Sequence, residues 1–168
     1  VLCQQKAFSG VLCLPGTHSK WALSENGQVL SFRTFMTGEI FSLLSEQSVL
    51  RHSVMNDDWN DETFIEGVHN ALNNPSQFTN ELFSVRACDV LHQGRVLFGK
   101  ARLSGLLIGI ELAGTRDLWQ GRKVMLLGDS RLQSLYQLAM DHIKIDVILV
   151  NATEMTLAGL RAAYEQQE

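Results

Sequence analysis

The stretch Cys13–Trp21, which reads CLPGTHSKW, joins two apolar segments and decides how the chain begins to fold. The segment that leads into it, Gly10–Leu14, is typical of a buried β-strand. The segment that leaves it, Lys20–Glu25, predicts a second strand ending at an Asn26-Gly27 turn. A hairpin that only reverses the chain needs no more than such an Asn-Gly pair. The Pro-Gly tip adds a threonine, a histidine and a serine, which is more hydrogen-bonding chemistry than turning requires.

Composition predicts a single soluble globular domain. The chain has 168 residues, of which 45% are hydrophobic and 19% charged, and 14 Lys and Arg against 18 Asp and Glu give a net charge of −4. This charge balance argues against nucleic acid or a membrane surface as a partner. The three cysteines, Cys3, Cys13 and Cys88, lack CxxC spacing, which favours a reducing compartment and therefore the cytoplasm.

The order of predicted elements indicates an α/β fold. A third strand, Gln28–Phe35, completes an antiparallel meander, and helical spacing begins after Thr37. A helical insertion at about 61–119 follows, and the chain closes with two apolar strands that alternate with helices and predict a parallel pair. These two strands, Val124–Leu127 and Val147–Val150, are both predicted to be buried. The order βββαβαβα on a mixed sheet is that of a ribonuclease-H-like half-domain, the unit that actin-like ATPases and sugar kinases repeat.

The insertion is predicted to contain three helices. Asn60 or Asp61 is expected to cap the first, whose apolar face ends before Asn73-Asn74-Pro75. A second helix is predicted at about Phe78–Leu91. Arg95–Trp119 reads as one long helix with small residues four apart, at Gly105, Gly109 and Ala113, which predicts the close approach of another backbone.

Three polar turns are candidates for binding. In the first, we expect Gly16 to allow unusual backbone angles, while hydroxyls and N–H groups bind an anion; a polar tip with no ligand is the alternative and, on spacing alone, the commoner case. The second is a helix N-terminus, where an N-cap explains the residues equally well. The third follows a strand of the parallel pair, where ligands bind in open α/β sheets, although its polar residues would also cap a helix. The residues are Gly16, Thr17, His18 and Ser19; Thr37 and Gly38; and Gly128, Asp129 and Ser130.

The motifs of this chain closely resemble the 2-dehydro-3-deoxygalactonokinase family. The resemblance runs from about Ser9 to Ala163 and is carried by LPGTHSKW, FRTFMTGEIFSLL, FIEGVHNALNNP, LFSVRACDVL and LSGLLIGIEL. It implies an actin-like, hexokinase-like sugar kinase that uses ATP and Mg²⁺ to phosphorylate the 6-hydroxyl of 2-dehydro-3-deoxy-D-galactonate in galactonate catabolism. In this resemblance the hairpin residues Gly16, Thr17, His18 and Ser19 lie at the terminal phosphates. Thr37 and Gly38 approach the ribose or the α-phosphate, and Gly128, Asp129 and Ser130 form the adenosine turn.

The chain departs from the family pattern in two ways. Gln47-Ser48 stands where the family often has His-Ser, and His52 is the nearest histidine that could substitute. No Asp-x-Gly hairpin occurs, so the resemblance covers only the C-terminal lobe, and the catalytic base and metal ligands are expected in an N-terminal lobe that this chain lacks. The resemblance predicts that the chain alone binds nucleotide weakly and does not turn over. A non-catalytic actin-like nucleotide-binding or interaction module is the alternative.

Several other polar residues favour structural roles. Arg86 and Asp89 are expected to form an ion pair, although Arg86 could instead bind a substrate carboxylate. Arg116-Asp117 reads as a solvated or capping pair, and Glu111 is either buried and hydrogen-bonded or exposed. The histidines show no metal-ligand spacing. A lone lobe should expose the apolar surface that its partner covers, so we expect association with that lobe or with a second copy.

Overall fold

The computed structural model describes residues 7–91 and 98–165. Within these ranges the strands are β1 (Gly10–Leu14), β2 (Ser19–Glu25), β3 (Gln28–Phe35), β4 (Val124–Gly128) and β5 (Val147–Asn151). The helices are α1 (Thr37–Glu46), α2 (Asp61–Asn73), α3 (Phe78–Leu91), α4 (Gly99–Gly114), α5 (Arg116–Trp119), α6 (Ser130–His142) and α7 (Ala152–Glu165). Short 3-10 helices at Val49–His52 and Pro75–Gln77 precede α2 and α3.

The five strands form one mixed sheet in the order β3-β2-β1-β4-β5. The pairs β1–β2 and β2–β3 are antiparallel, whereas β1–β4 and β4–β5 are parallel. The predicted meander and the predicted parallel pair are therefore both confirmed. The predicted bounds of β1 and β3 match the structure, and β2 begins one residue earlier, at Ser19.

The turn between β2 and β3 follows directly from its two residues. Asn26 has φ 50° and Gly27 has φ 77°, and Glu25 pairs with Gln28 across them. Positive φ at both central positions defines the type I′ turn, whose twist matches that of the strands, and asparagine and glycine tolerate it best.

The chain divides into two compact units, and the first contains the sheet. It consists of the described residues up to Phe35 together with those from Asp117 onward. Its central strands β1 and β4 are buried, with Val11, Cys13, Met125 and Leu126 fully inaccessible. β5 was predicted to be a buried strand, and this is wrong: Leu149 is 47% exposed. The reason is position, because β5 lies at the edge of the sheet.

The second unit, Met36–Arg116, is helical. Its core combines residues of α2, α3 and α4 with the Val49–His52 turn: Leu50, Val54, Ala71, Val85, Leu103, Leu106 and Leu107. Asn60 caps α2, since its Oδ1 accepts a hydrogen bond from the Thr63 N–H at 2.7 Å. Of the two residues predicted to cap this helix, Asn60 and Asp61, Asn60 is therefore the cap.

The single helix predicted over Arg95–Trp119 is interrupted. Residues 95–97 lie outside the described ranges, α4 ends at Gly114, and α5 starts at Arg116. Thr115, between the two helices, leaves helical geometry with φ −115° and ψ 9°. Its hydroxyl donates to the Glu111 carbonyl at 2.9 Å, which satisfies a carbonyl near the end of α4. Apolar periodicity continued across this interruption, so the sequence pattern did not reveal it.

The glycines of α4 have the packing role that their spacing predicted, and a glycine of α2 has the same role. A Cβ built on Gly105 would overlap the Phe64 carbonyl oxygen, and one on Gly109 would lie 2.5 Å from the Val68 oxygen. From the opposite helix, a Cβ on Gly67 would lie 2.8 Å from the Arg102 oxygen. The two backbones are therefore in contact, and any side chain at these positions would separate them.

In the part of the chain that the structure describes, no helix has the length and apolar character needed to cross a bilayer.

Candidate functional site

Two of the three predicted turns lie together at the carboxyl edge of the sheet. β1 and β4 are parallel neighbours, with Cys13 opposite Leu126, so the chain leaves both strands on the same side. A Cβ built on Gly128 would lie 3.6 Å from Pro15 Cδ, which places the turn after β4 against the hairpin tip after β1. This edge is where open α/β sheets bind ligands.

The hairpin tip leaves its backbone accessible. Gly16 is half-buried, and Thr17 and His18 are exposed. No heavy atom lies within 4 Å of a Cβ built on Gly16, and its φ is not in the left-handed region. The expectation of unusual backbone angles at Gly16 is therefore wrong, and what the glycine provides is open space beside the main chain.

Two side chains at the base of the tip hold it in place. The Ser19 and Tyr136 hydroxyls are 3.1 Å apart, and Ser19 is fully buried, so its side chain points into the sheet's own unit rather than outward. Lys20 Nζ donates to the His18 carbonyl at 3.0 Å. This contact keeps an ammonium group beside the tip, where its charge would attract an anion.

The turn after β4 combines a small residue with a helix cap. Asp129 Oδ1 accepts hydrogen bonds from the N–H groups of Arg131 at 3.0 Å and Leu132 at 3.1 Å. The capping alternative for Asp129 is therefore observed. Because this carboxylate already occupies the N-terminus of α6, a second anion is disfavoured there. The turn suits a neutral, flat group against Gly128 better than a phosphate. Ser130 is exposed and is the first residue of α6.

The third predicted turn belongs to the helical unit. Thr37 and Gly38 are the first two residues of α1, and the N-cap is Met36, whose side chain makes no capping hydrogen bond. The alternative that Thr37 caps the helix is therefore wrong. Thr37 Oγ1 instead donates a hydrogen bond to Glu111 Oε2, from α1 to α4. Glu111 is 1% exposed, which decides the question that the sequence left open for this carboxylate.

The charged residues Arg86, Asp89, Arg116 and Asp117 all form contacts within the fold. Arg86 Nη1 is 2.7 Å from Asp89 Oδ2, which confirms the expected ion pair. Arg116 and Asp117 do not pair with each other: Arg116 donates to the Leu72 carbonyl at 3.0 Å, and Asp117 binds Arg33 through both oxygens, at 2.7 and 2.5 Å. Both residues are exposed, as expected of a solvated pair, and each has a distant partner that spacing along the chain does not reveal.

Gln47 and His52, the residues at the departure from the family's His-Ser pair, are both exposed. The Gln47 backbone N–H closes α1 on the Leu43 carbonyl at 2.9 Å.

The donor set of the described residues does not form a metal centre. Within residues 7–91 and 98–165, no group of three or more His, Cys, Asp and Glu side chains is placed to hold a metal ion. Asp129, the carboxylate of the turn after β4, is engaged as a helix cap. A cavity of about 440 Å³ lies at the other end of β1, lined by residues that include Gly10, Leu30 and Lys123, and it does not include the candidate turns.

Comparisons with known proteins agree with this mixed α/β architecture. The family model described as 2-keto-3-deoxy-galactonokinase matches residues 1–163. The chain therefore belongs to the 2-keto-3-deoxy-galactonokinase family.

Two curated relatives and one solved structure carry related names. "Probable 2-dehydro-3-deoxygalactonokinase DgoK1" of Rhizobium meliloti (strain 1021) is 39% identical over 161 residues. "2-dehydro-3-deoxygalactonokinase" of Escherichia coli (strain K12) is 34% identical over 157 residues. They cover 94% and 93% of this chain, and the chain spans about half the length of each, 53%. The "Crystal structure of a putative 2-dehydro-3-deoxygalactonokinase protein from Sinorhizobium meliloti" has a TM-score of 0.87 at 39% identity, over 94% of this chain and 54% of that one.

Proposed function

We propose that this chain is the C-terminal, nucleotide-binding lobe of an ATP-dependent sugar-acid kinase that phosphorylates the 6-hydroxyl of 2-dehydro-3-deoxy-D-galactonate. Family membership supports the reaction class. The observation that carries the proposal is the contact between the Pro15-Gly16 tip and the Gly128 turn at the carboxyl edge of β1 and β4.

The strand order supports a ribonuclease-H-like, actin-like lobe. A meander of three antiparallel strands, joined through β1 to a parallel β4–β5 pair, is the arrangement expected of that fold. We assign residues 1–168 to one such lobe, with a helical insertion at about 61–119, most of which belongs to the Met36–Arg116 unit.

The chemistry of each turn suggests which part of ATP it receives. The open backbone at Gly16, Thr17 and His18, beside the Lys20 ammonium, suits the terminal phosphates, because N–H groups and a cation stabilise anions. Ser19 contributes by fixing the hairpin through Tyr136. Gly128 suits the adenine ring, with Asp129 and Ser130 shaping the turn. Thr37 and Gly38 are proposed to contact the ribose or the α-phosphate.

Mg²⁺ would arrive as part of the nucleotide substrate. Among the described residues, no group of three or more His, Cys, Asp and Glu side chains is placed to hold it. We propose that the phosphate oxygens are among its ligands. Phosphoryl transfer depends on positioning and on charge stabilisation from both sides of the phosphates. This chain offers one of those sides, and we propose that the general base lies in a second lobe. The 168-residue chain alone is expected to bind ATP weakly and to give no turnover.

Titration calorimetry on the complete gene product tests the proposal. ATP·Mg²⁺ is titrated with and without 2-dehydro-3-deoxygalactonate, and a change in the affinity for one ligand when the other is present would support a kinase. Nucleotide binding without coupling would instead support a non-catalytic actin-like module, which the absence of any Asp-x-Gly in the sequence favours. No binding of ATP at all would refute both.

Gly16→Ala tests whether the hairpin tip contacts the nucleotide. Its Cβ meets no atom within 4 Å and its backbone is unstrained, so folding stability should not change. If a phosphate approaches this backbone, the methyl group should weaken ATP binding about tenfold or more. Gly159→Ala, equally open but on α7, is the control and should leave ATP affinity unchanged. If Gly16→Ala and the wild type bind ATP equally well, the hairpin is not part of the nucleotide site.

Of the cysteines that the structure describes, Cys13 is buried, Cys88 is exposed and neither forms a disulfide. This supports the proposal of a cytoplasmic protein.

A further inference from the structure

The helix α7 exposes an apolar stripe formed by Leu157, Leu160 and Tyr164. These side chains are 55%, 64% and 67% exposed, and their spacing of three and four residues places them on one side of the helix. Met155 lies on the other side and packs against a buried cluster of the sheet. The helix therefore has two apolar faces, and in the part of the chain that the structure describes only the face with Met155 is covered.

The spacing of the α7 stripe is that of a helix that packs against a second helix. With Thr153 added, the steps along the stripe are four, three and four residues, which is the alternation of the d and a positions of a heptad repeat. The positions in order are Thr153 (d), Leu157 (a), Leu160 (d) and Tyr164 (a). An exposed apolar seam of this kind suits a helical partner.

The charges beside the stripe indicate which helix that partner is. Glu154 and Arg161 occupy the e positions on one flank, and neither side chain forms an ion pair with any residue within 7–91 or 98–165. The g positions on the other flank hold the uncharged residues Thr156 and Ala163. In an antiparallel pair of identical helices e faces e, so Glu154 of each copy meets Arg161 of the other. In a parallel pair e faces g, and no ion pair forms.

We propose that this protein dimerises through α7, with the stripes of two copies packed antiparallel about a two-fold axis. The alignment that pairs the charges also places Leu157 opposite Leu160, at the centre of the contact, and Thr153 opposite Tyr164, at its ends. Every contact then occurs twice, as a self-complementary interface requires. Two helices of 14 residues bury little area, so the dimer is a concentration-dependent one.

Charge reversal tests the antiparallel geometry in the complete gene product, with sedimentation equilibrium as the measurement. Glu154→Arg places arginine opposite arginine at both e–e contacts, and Arg161→Glu places glutamate opposite glutamate. Each variant should therefore dimerise about tenfold more weakly than the wild type. An equimolar mixture of the two variants should restore dimerisation, because one copy then carries two arginines and the other carries two glutamates. A parallel pair would show neither the loss nor the rescue.

Two further variants separate the stripe from a general effect of charge. Leu160→Lys puts a charge at the centre of the stripe and should remove the α7 dimer. Asp141→Arg makes the same charge change as Glu154→Arg at an exposed position of α6, and it should dimerise like the wild type. The urea midpoints of all these variants should stay close to the wild-type value, because every substituted side chain is exposed.

Three outcomes would overturn the proposal. The first is a wild type that is monomeric at every concentration. The second is a Glu154→Arg variant that dimerises as tightly as the wild type. The third is a mixture of Glu154→Arg and Arg161→Glu that dimerises no better than either variant alone. The proposed function concerns ligand binding at the carboxyl edge of the sheet, so it would stand in each of these cases.

Discussion

The buried hydroxyl pair below the hairpin, Ser19 and Tyr136, is the residue-level feature that most directly supports the candidate site. The two oxygens are 3.1 Å apart, and the residues are 0% and 2% exposed. Without the Tyr136 hydroxyl, the buried Ser19 hydroxyl would lose this hydrogen bond, whereas replacing both hydroxyls with apolar atoms removes the demand. The pair thus connects the start of β2 to α6 behind the hairpin tip.

Removing the Tyr136 hydroxyl alone should therefore lower the free energy of unfolding more than removing the Tyr136 and Ser19 hydroxyls together. Tyr136→Phe is expected to lower the free energy of unfolding by about 1–3 kcal/mol, because Ser19 loses its partner. Adding Ser19→Ala should recover part of that loss. Urea denaturation of the single and double variants measures it, with an unchanged m-value as the control for two-state unfolding. Strictly additive losses would mean that the two hydroxyls do not depend on each other.

The bidentate Arg33–Asp117 pair makes stability depend on acid pH. The hydrogen bonds from Arg33, more than the attraction of its charge, lower the pKa of Asp117 below its ordinary value of 3.8. A carboxyl whose pKa is lower in the folded state stabilises the fold above the unfolded pKa, and loses that contribution as the pH falls through the folded pKa. The pair is exposed, at 44% and 61% for the two side chains, so the effect is small.

Acid titration of stability should reveal the sign of this effect. Between about pH 5 and pH 2 the wild type should lose more stability than Asp117→Asn, so their unfolding midpoints should converge. Arg33→Gln in the Asp117→Asn background should leave the acid profile unchanged, since the carboxyl is already absent. A difference between wild type and Asp117→Asn that stays constant over this range would contradict the prediction.

At the level of elements, the close approach of α2 and α4 depends on glycines at their contact. The Gly105 Cα faces the Phe64 carbonyl so closely that a methyl group has no room. Backbone atoms cannot rotate away as a side chain can, so the helices must move apart.

Gly105→Ala should therefore destabilise the chain, although alanine is the better helix former. We expect a loss of about 1–3 kcal/mol in the free energy of unfolding, measured by urea denaturation. Gly159→Ala is the matched control in α7, where a Cβ meets no atom within 4 Å, and it should stabilise by up to about 1 kcal/mol. Equal midpoints for the two variants would show that the α2–α4 contact tolerates separation.

The elements that the sequence predicts well are those whose cause is local. The Asn26-Gly27 turn and the Asn60 cap depend on residues within a few positions of each other, and the structure contains both. The end of α4 was missed, because the apolar pattern continues past Thr115, where the backbone leaves helical geometry. The Thr37–Glu111 and Arg33–Asp117 contacts join residues 74 and 84 positions apart, which only the folded backbone brings together. Of the candidate site, the sequence indicated the turns but not which polar groups face inward.

At the level of the whole molecule, one edge strand of the sheet, β3, exposes several apolar side chains. β3 is the last strand on its side, and every residue from Gln28 to Thr34 is exposed. Val29, Leu30 and Phe32 are 50%, 54% and 69% exposed. An edge strand with unpaired backbone groups and apolar side chains favours pairing with another chain unless charges or bulges prevent it. The single cation of β3, Arg33, is paired with Asp117.

We therefore expect the 168-residue chain to self-associate through β3 in addition to the α7 contact. Leu160→Lys, at a position on α7 that is 64% exposed, removes the α7 contact and is the reference chain. Sedimentation velocity over a concentration series should still show a rising average mass for it. Adding Phe32→Lys places a charge on the edge and should shift the chain toward the monomer, with little change in the urea midpoint because Phe32 is mostly exposed. Monomeric behaviour of the reference chain at every concentration would exclude association through this edge, and equal association with and without Phe32→Lys would assign it to another surface.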